Sequence, residues 1–532
     1  MFRLIVLLTL IFNNQVFAQE QFDTRYNVVY EIGADGVAEI FQNISIINRE
    51  NDVVATNYTL TIDRTSVYDV SAKDGEGDLD VEVKEEGGVT KLSVEFNEQV
   101  IGTGRSLDWE LKYKTRSLAN KVGEIWNINI PKVEVLDSTQ EYNVKLIVPK
   151  TFGPKIYVSP QPVSQDQNDS TYTLNFDKTS LGQTGITASF GSFQVLNFQL
   201  KYKLENKGIL ATYQDVAIPP TAKNSQQVKI NEIEPQPENL FTDGDGNLMA
   251  TFKVPAKSTL DIRVTGSARV LSSQIDPKFG GRVKDIPKEL TRKYTKQDKY
   301  WETANGQIRS QAKALFDSSL TTSQNAQAIY DLVTQKLQYN FNVSENEPVE
   351  RHGALQALTE PGPWACMEFT DLFIALARAN GIPARELNGY AIVKDPGLTP
   401  LSLSFESGDV LHAWAEFYDP NFGWVQVDPT WGNTSGIDYF TKLDTNHLIF
   451  VTKGLDSEYP YPAGAYKLDG TEKQVEVDIA QNPEEISFDE PLIPDYPKNR
   501  SKTLGIILSV FGATLLCSLI YSLVIRKDHR HK

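Results

Sequence analysis

The chain has 532 residues, 40% hydrophobic and 23% charged, with a formal net charge of -17 from 69 acidic and 52 basic side chains. That is enough globular sequence for about three domains, and so acidic a surface repels phosphates and argues against nucleic-acid binding. The 5 histidines and 2 cysteines show no zinc-ligand spacing, which argues against a structural metal site.

Met1-Phe2-Arg3, the apolar run Leu4 to Phe12 and the closing Val16-Phe17-Ala18 have the form of a secretory signal cleaved after Ala18. From Gln19 to about Ser192, short alternating runs are broken by Asp-Gly and Gly-Gly turns. Examples are Tyr26 to Ile32, Val37 to Ile47, Leu92 to Phe96 and Tyr142 to Val148. The pattern predicts antiparallel strands with no interrupting helix, hence a β-sandwich domain over 19–192.

A second β domain is expected over 193–280, with runs Phe198 to Leu204, Leu248 to Val254 and Leu260 to Val264. Asp243-Gly244-Asp245-Gly246-Asn247 has the opening of a calcium loop. Leu248 stands where the loop needs glycine and no glutamate closes it, so a hairpin turn is expected.

Past Pro287 the period changes. Lys288 to Tyr300, Gly306 to Phe316 and Ser323 to Leu337 read as helices, and Ala326, Ile329, Val333 and Leu337 share one face of the last. An α+β domain is expected over 285–446 and a β extension over 447–482. An acidic, proline-rich stalk over 483–502 follows, read from Pro483 to Pro497. Thr503 to Ile525 carries no charge; as a helix it would reach about 35 Å, enough to span a bilayer. Arg526, Lys527, Arg530 and Lys532 then make a cytoplasmic tail. The expectation is an extracytoplasmic body held at the cell surface by one C-terminal membrane helix.

Cys366 is the only cysteine before that span, where Cys517 lies. Pro361-Gly362-Pro363 forces a loop before it. Phe369, Phe373, Leu376 and Ala377 then recur at helical spacing until Asn380-Gly381-Ile382-Pro383 ends the helix. The free N–H groups and positive dipole end of the first turn favour a thiolate and could hold an oxyanion. Downstream, His412, Trp414 and Glu416 alternate with Ala413, Ala415 and Phe417, and Trp424, Gln426 and Asp428 with Val425 and Val427. A hairpin centred near Pro420 pairs His412 with Asp428 on one face. Taken singly, each of these residues reads more simply as a buried core or turn residue. Taken together, they supply a nucleophile, its base and an orienting acid.

The stretch from about Lys288 to Gly432 resembles the transglutaminase-like superfamily, in the manner of a bacterial, membrane-anchored member. The resemblance rests on Cys366 with Phe369, on Ala375 to Tyr390 (ALARANGIPARELNGY), on His412 to Glu416 and on Gly423 to Thr430. It implies a papain-like α+β core with Cys366 as nucleophile, His412 as general base and acid, and Asp428 as orienting acid. No metal or organic cofactor is implied. The family contains cross-linking enzymes, peptidases, deamidases, amidases and inactive relatives, so the expected partner is a protein or peptide, including a cell-envelope peptide. Met367 stands where animal cross-linking enzymes carry tryptophan. The upstream β segments resemble accessory domains of bacterial surface proteins. The alternatives are a non-catalytic adhesin or scaffold, or an envelope assembly factor, retaining a triad-like core.

Overall fold

The computed structural model describes residues 21–63, 65–133, 136–181, 184–340, 350–392, 410–465 and 474–488. The expected signal segment 1–18 and membrane span Thr503–Ile525 lie outside the described residues. Among the described residues, no helix is long and apolar enough to cross a membrane.

The first β region builds an eight-stranded, a four-stranded and a three-stranded sheet. Its alternation is that of half-buried strands. In Ala38–Asn48, Ile40, Ile44 and Ile46 turn inward while Glu39, Phe41 and Asn43 are less buried. Inward residues of all three sheets, including Trp109, Leu146, Phe190 and Leu92, meet in one core. Two expectations fail. Phe22–Ile32 pairs in parallel with Thr139–Pro149, which is possible because more than a hundred residues separate the strands in sequence. A one-turn helix, Lys178–Leu181, does interrupt the strands.

In the second β region, the 14-residue strands Phe193–Asn206 and Ser258–Leu271 run antiparallel over their whole length. The Asp243–Asn247 segment is a hairpin turn: Asp243 Oδ1 accepts from Asp245 N at 2.9 Å and Asn247 N at 2.8 Å.

The helical region is built round the helix Cys366–Ala379. Phe369, Leu372, Phe373, Ile374 and Leu376 are fully buried, and with Glu368, Thr370, Asp371 and Arg378 also buried the helix sits inside the domain. It packs on a four-stranded sheet in the order Gly423–Val427, Val410–Asp419, Ala384–Ala391, His447–Lys453. The helix expected to reach Tyr300 stops at Tyr294. The chain leaves it to bury Trp301, whose Nε1 donates to Asp371 Oδ1 at 2.9 Å.

The C-terminal boundaries also change. His447–Lys453, expected in a β extension, is an edge strand of the helical domain's own sheet, and Val475–Ile479 returns to pair with Phe193–Asn206. The start of the expected stalk is not free of the body. Ile486 and Phe488 pack on Phe193, Val195 and Ala480, and the Arg269 guanidinium lies over the Phe488 ring. An apolar pair in an otherwise polar, proline-rich stretch was enough to dock it.

Candidate active site

Cys366 is the first residue of its helix and is partly exposed. Its position is fixed from two sides. Glu368, one turn in, accepts from Ala365 N at 3.1 Å and from His352 N at 2.8 Å, tying the preceding loop to the helix start. Thr370 Oγ1 lies 2.9 Å from the Cys366 carbonyl and 3.1 Å from the Ala413 carbonyl, so it links the cysteine helix to the strand that carries His412.

His412 stands opposite Gly389 in the neighbouring strand. A Cβ at Gly389 would lie 1.9 Å from the Leu448 carbonyl oxygen, so only glycine admits this strand spacing. The His412 ring is flanked by Trp414 and Trp431, with centroids 5.9 and 5.8 Å away. The hairpin pairs Asp419 with Gly423 and Ala415 with Val427, so it is centred on Asn421 rather than Pro420. His412 is therefore not directly paired with Asp428. Moving the centre by one residue shifts every partner by two, and a shift of two keeps both residues on the same face. The strand ends at Val427, and Asp428 caps the helix Pro429–Ser435 by accepting from Thr430 N at 2.9 Å and Trp431 N at 3.0 Å.

The structure brings the three sequence candidates together. His412 Nε2 lies 2.7 Å from Asp428 Oδ2. The Cys366 thiol neighbours the same imidazole closely enough to raise its pKa, and with Nε2 turned to Asp428, Nδ1 is the nitrogen left for sulfur. Burial alone would drive the His412 pKa down. The Asp428 charge, with hydrogen bonds to Asp428 and Cys366, reverses this and pushes it up to about 10. For Asp428, burial opposes ionisation, but the His412 cation and hydrogen bonds from His412 and His447 hold it well below the usual carboxylate range.

Sequence reasoning missed His447 and Asp444. His447 Nε2 lies 3.1 Å from the same Asp428 Oδ2, and its Nδ1 lies 2.8 Å from Asp444 Oδ1. The available signal was slight: a histidine three residues after an acid, in a chain with 5 histidines. Ligand atoms of His412, Asp428 and His447 lie within 4.8 Å of one another. Both rings hydrogen-bond Asp428, and the second nitrogen of His447 is taken by Asp444.

The transglutaminase-like superfamily model matches residues 309–429. An uncharacterized protein of Bacillus subtilis (strain 168), YebA, is 36% identical over 92 residues, 17% of this chain and 12% of that protein. A protein-glutamine gamma-glutamyltransferase of Pseudomonas aeruginosa is 26% identical over 196 residues, 35% of this chain and 26% of that protein. The chain thus spans only a minor part of either relative. A crystal structure of a candidate cysteine protease from Cytophaga hutchinsonii superimposes with a TM-score of 0.38 at 18% identity, over 54% of this chain and 90% of that one. Residues 309–429 thus form a transglutaminase-like domain.

Proposed function

We propose that the chain is a membrane-tethered, extracytoplasmic cysteine acyl-transfer enzyme acting on peptide or protein amides. What carries the reading is the grouping of Cys366, His412 and Asp428: a thiol beside an imidazole whose Nε2 is held by a buried carboxylate. The Cys366 sulfur attacks the amide carbon, and the oxyanion forms beside the free N–H groups of the helix start. His412 gives its proton to the leaving amine as the C–N bond breaks, leaving a thioester on Cys366. Water or an amine then attacks the thioester carbon, His412 takes the incoming proton, and the C–S bond breaks to release Cys366 as the thiolate. Water gives peptidase or amidase chemistry; a lysine amine gives an isopeptide cross-link. Asp428 keeps the ring oriented and stabilises its cation. The uncharged run Thr503–Ile525 and the leader-like Met1 to Ala18 support the tether and the location outside the cytoplasm.

Alkylation of Cys366 by iodoacetamide tests the pair. It should outpace a free cysteine peptide at about pH 6 to 7 and slow in His412→Ala. A rate equal to that of the peptide overturns the reading, leaving a scaffold that keeps a triad-like core.

A further inference from the structure

His447 is the one group in this cluster that the proposed reaction leaves without a task. Its side chain is fully buried, and each ring nitrogen faces a carboxylate oxygen: Asp428 Oδ2 at 3.1 Å and Asp444 Oδ1 at 2.8 Å. A neutral imidazole has one N–H and one lone pair, so one of the two carboxylates would meet a lone pair. Neither carboxylate is placed to supply the missing proton. Asp428 already accepts from Thr430 N, Trp431 N and His412. Asp444 Oδ1 also accepts from Asn446 N at 2.9 Å, and its Oδ2 from the Tyr439 hydroxyl at 2.9 Å. Two N–H groups on His447 satisfy every partner at once.

We propose that His447 is a positioning residue, a buried imidazolium clamped between Asp444 and Asp428. It shares the Asp428 Oδ2 atom with His412 and so weakens the hold of Asp428 on the His412 proton. The proposal rests on the reading of Cys366 and His412 as the acyl-transfer pair.

The reason is electrostatic. A carboxylate facing one imidazole alone would lock it as a cation, and a locked cation is a poor acid for the leaving amine. A second cation with its ring centroid 5.7 Å from the His412 ring repels that proton and competes for the same oxygen. Charges then alternate through the interior: Asp444 negative, His447 positive, Asp428 negative, His412 positive, with Cys366 at the open end. Other titratable groups facing this chain are Tyr439, Tyr157, Tyr330 and Tyr339. Burial, with the nearby charges, raises all four phenols, so they remain neutral. Burial alone would lower the His447 pKa. The Asp444 charge and the hydrogen bonds to Asp428 and Asp444 outweigh it and hold the ring above its ordinary value. The Trp431 ring, 4.5 Å from that of His447, closes the site to water on one side.

The test uses the full chain with 15N-labelled histidine, in detergent, as wild type, His447→Gln and Asp444→Asn. In the wild type, two histidines should keep both ring nitrogens protonated from about pH 5 to 9, and the signals of one of them should vanish in His447→Gln. Removing the second cation, or the acid that sustains it, should move the His412 titration midpoint upward by on the order of one pH unit. A merely structural role predicts the reverse, because a loosened Asp428 would let the His412 midpoint fall. A neutral His447 tautomer in the wild type overturns the proposal without any variant having to fold, as does an unchanged or lowered His412 midpoint. Iodoacetamide rates on the same samples separate the two ideas. Wild-type Cys366 no faster than a free cysteine peptide sinks the acyl-transfer reading, while the nitrogen spectra still decide the state of His447.

Discussion

Gln226 hydrogen-bonds Ile449 twice: its Nε2 donates to the Ile449 carbonyl at 2.9 Å, and its Oε1 accepts from the Ile449 N–H at 2.8 Å. One side-chain amide thus does for Ile449 what a neighbouring strand would do. Asn247 repeats the device at Thr452, donating to the carbonyl and accepting from the N–H, each at 2.7 Å. The strand His447–Lys453 is the open edge of the catalytic-type sheet, and the second β region closes it with two buried amides. His447 sits on that strand, so the β region supports the candidate site directly.

Gln226→Ala should therefore strand a buried N–H and a buried carbonyl. The expected loss is about 2–4 kcal/mol of stability, measured by denaturant unfolding of the whole chain. A loss below about 0.5 kcal/mol, typical of a surface change, would mean that the two regions do not depend on each other.

Arg351 holds a second buried cluster behind the cysteine helix. Its guanidinium reaches Asp371 Oδ2 at 2.9 Å and Glu386 Oε2 at 2.6 Å, joining the helix to the sheet. Both acids are essentially unexposed, so the charge cannot be released to water. Arg351→Ala should cost about 3–5 kcal/mol, because it leaves two carboxylates buried with Lys453 as their remaining cation. Glu386→Gln should cost less, since the amide can still accept from Arg351. Equal losses in the two variants would count against the buried-charge account.

The His412–Asp428 pair also sets a pH dependence of stability. The His412 pKa rises from 6.5 unfolded to about 10 folded. Its contribution is therefore complete below about pH 6.5 and fades as pH climbs towards about 10. Asp428 is depressed below its ordinary 3.8, so its contribution is present above that value and fades in stronger acid. The difference in melting temperature between wild type and Asp428→Asn should be largest between about pH 4 and 6.5 and shrink towards pH 10. A gap that widens with rising pH would show that the pair is not an ion pair in the folded state.

How much of this was legible varies with the physics of each element. The cysteine helix could be bounded closely, with Cys366 in its first turn and its end at Asn380-Gly381. Pro361 and Pro363 exclude a helix before it, and Gly381, with φ of 76°, supplies the left-handed residue that ends it. The site hairpin kept its parity because only an odd slip changes the face. His447–Lys453 was assigned to the wrong domain for a specific reason: all seven residues are buried, so it has no alternation to betray its sheet. Its histidine was missed for the same reason, since His447 acquires a partner only when that strand pairs beside Ala384–Ala391. The parallel pairing of Phe22–Ile32 with Thr139–Pro149 is a long-range choice that no local pattern records.

The chain past Asn482 looks dispensable by composition, being acidic and rich in proline. Phe488 contradicts that: it is 6% exposed, packs with Val195 and Ala480, and carries the Arg269 guanidinium on its face. Val195 and Arg269 lie on the long paired strands of the second β region, so the segment seals the end of that sheet. A fragment of residues 19–500 should then melt cooperatively and run as one species without detergent. Shortening it to 482 should lower its stability by about 3 kcal/mol, the cost of emptying a phenylalanine site. Phe488→Ala in the longer fragment should reproduce most of that loss. If the shorter fragment is as stable as the longer one, the docking of Ile486 and Phe488 contributes nothing, and the stalk begins where its composition first suggested.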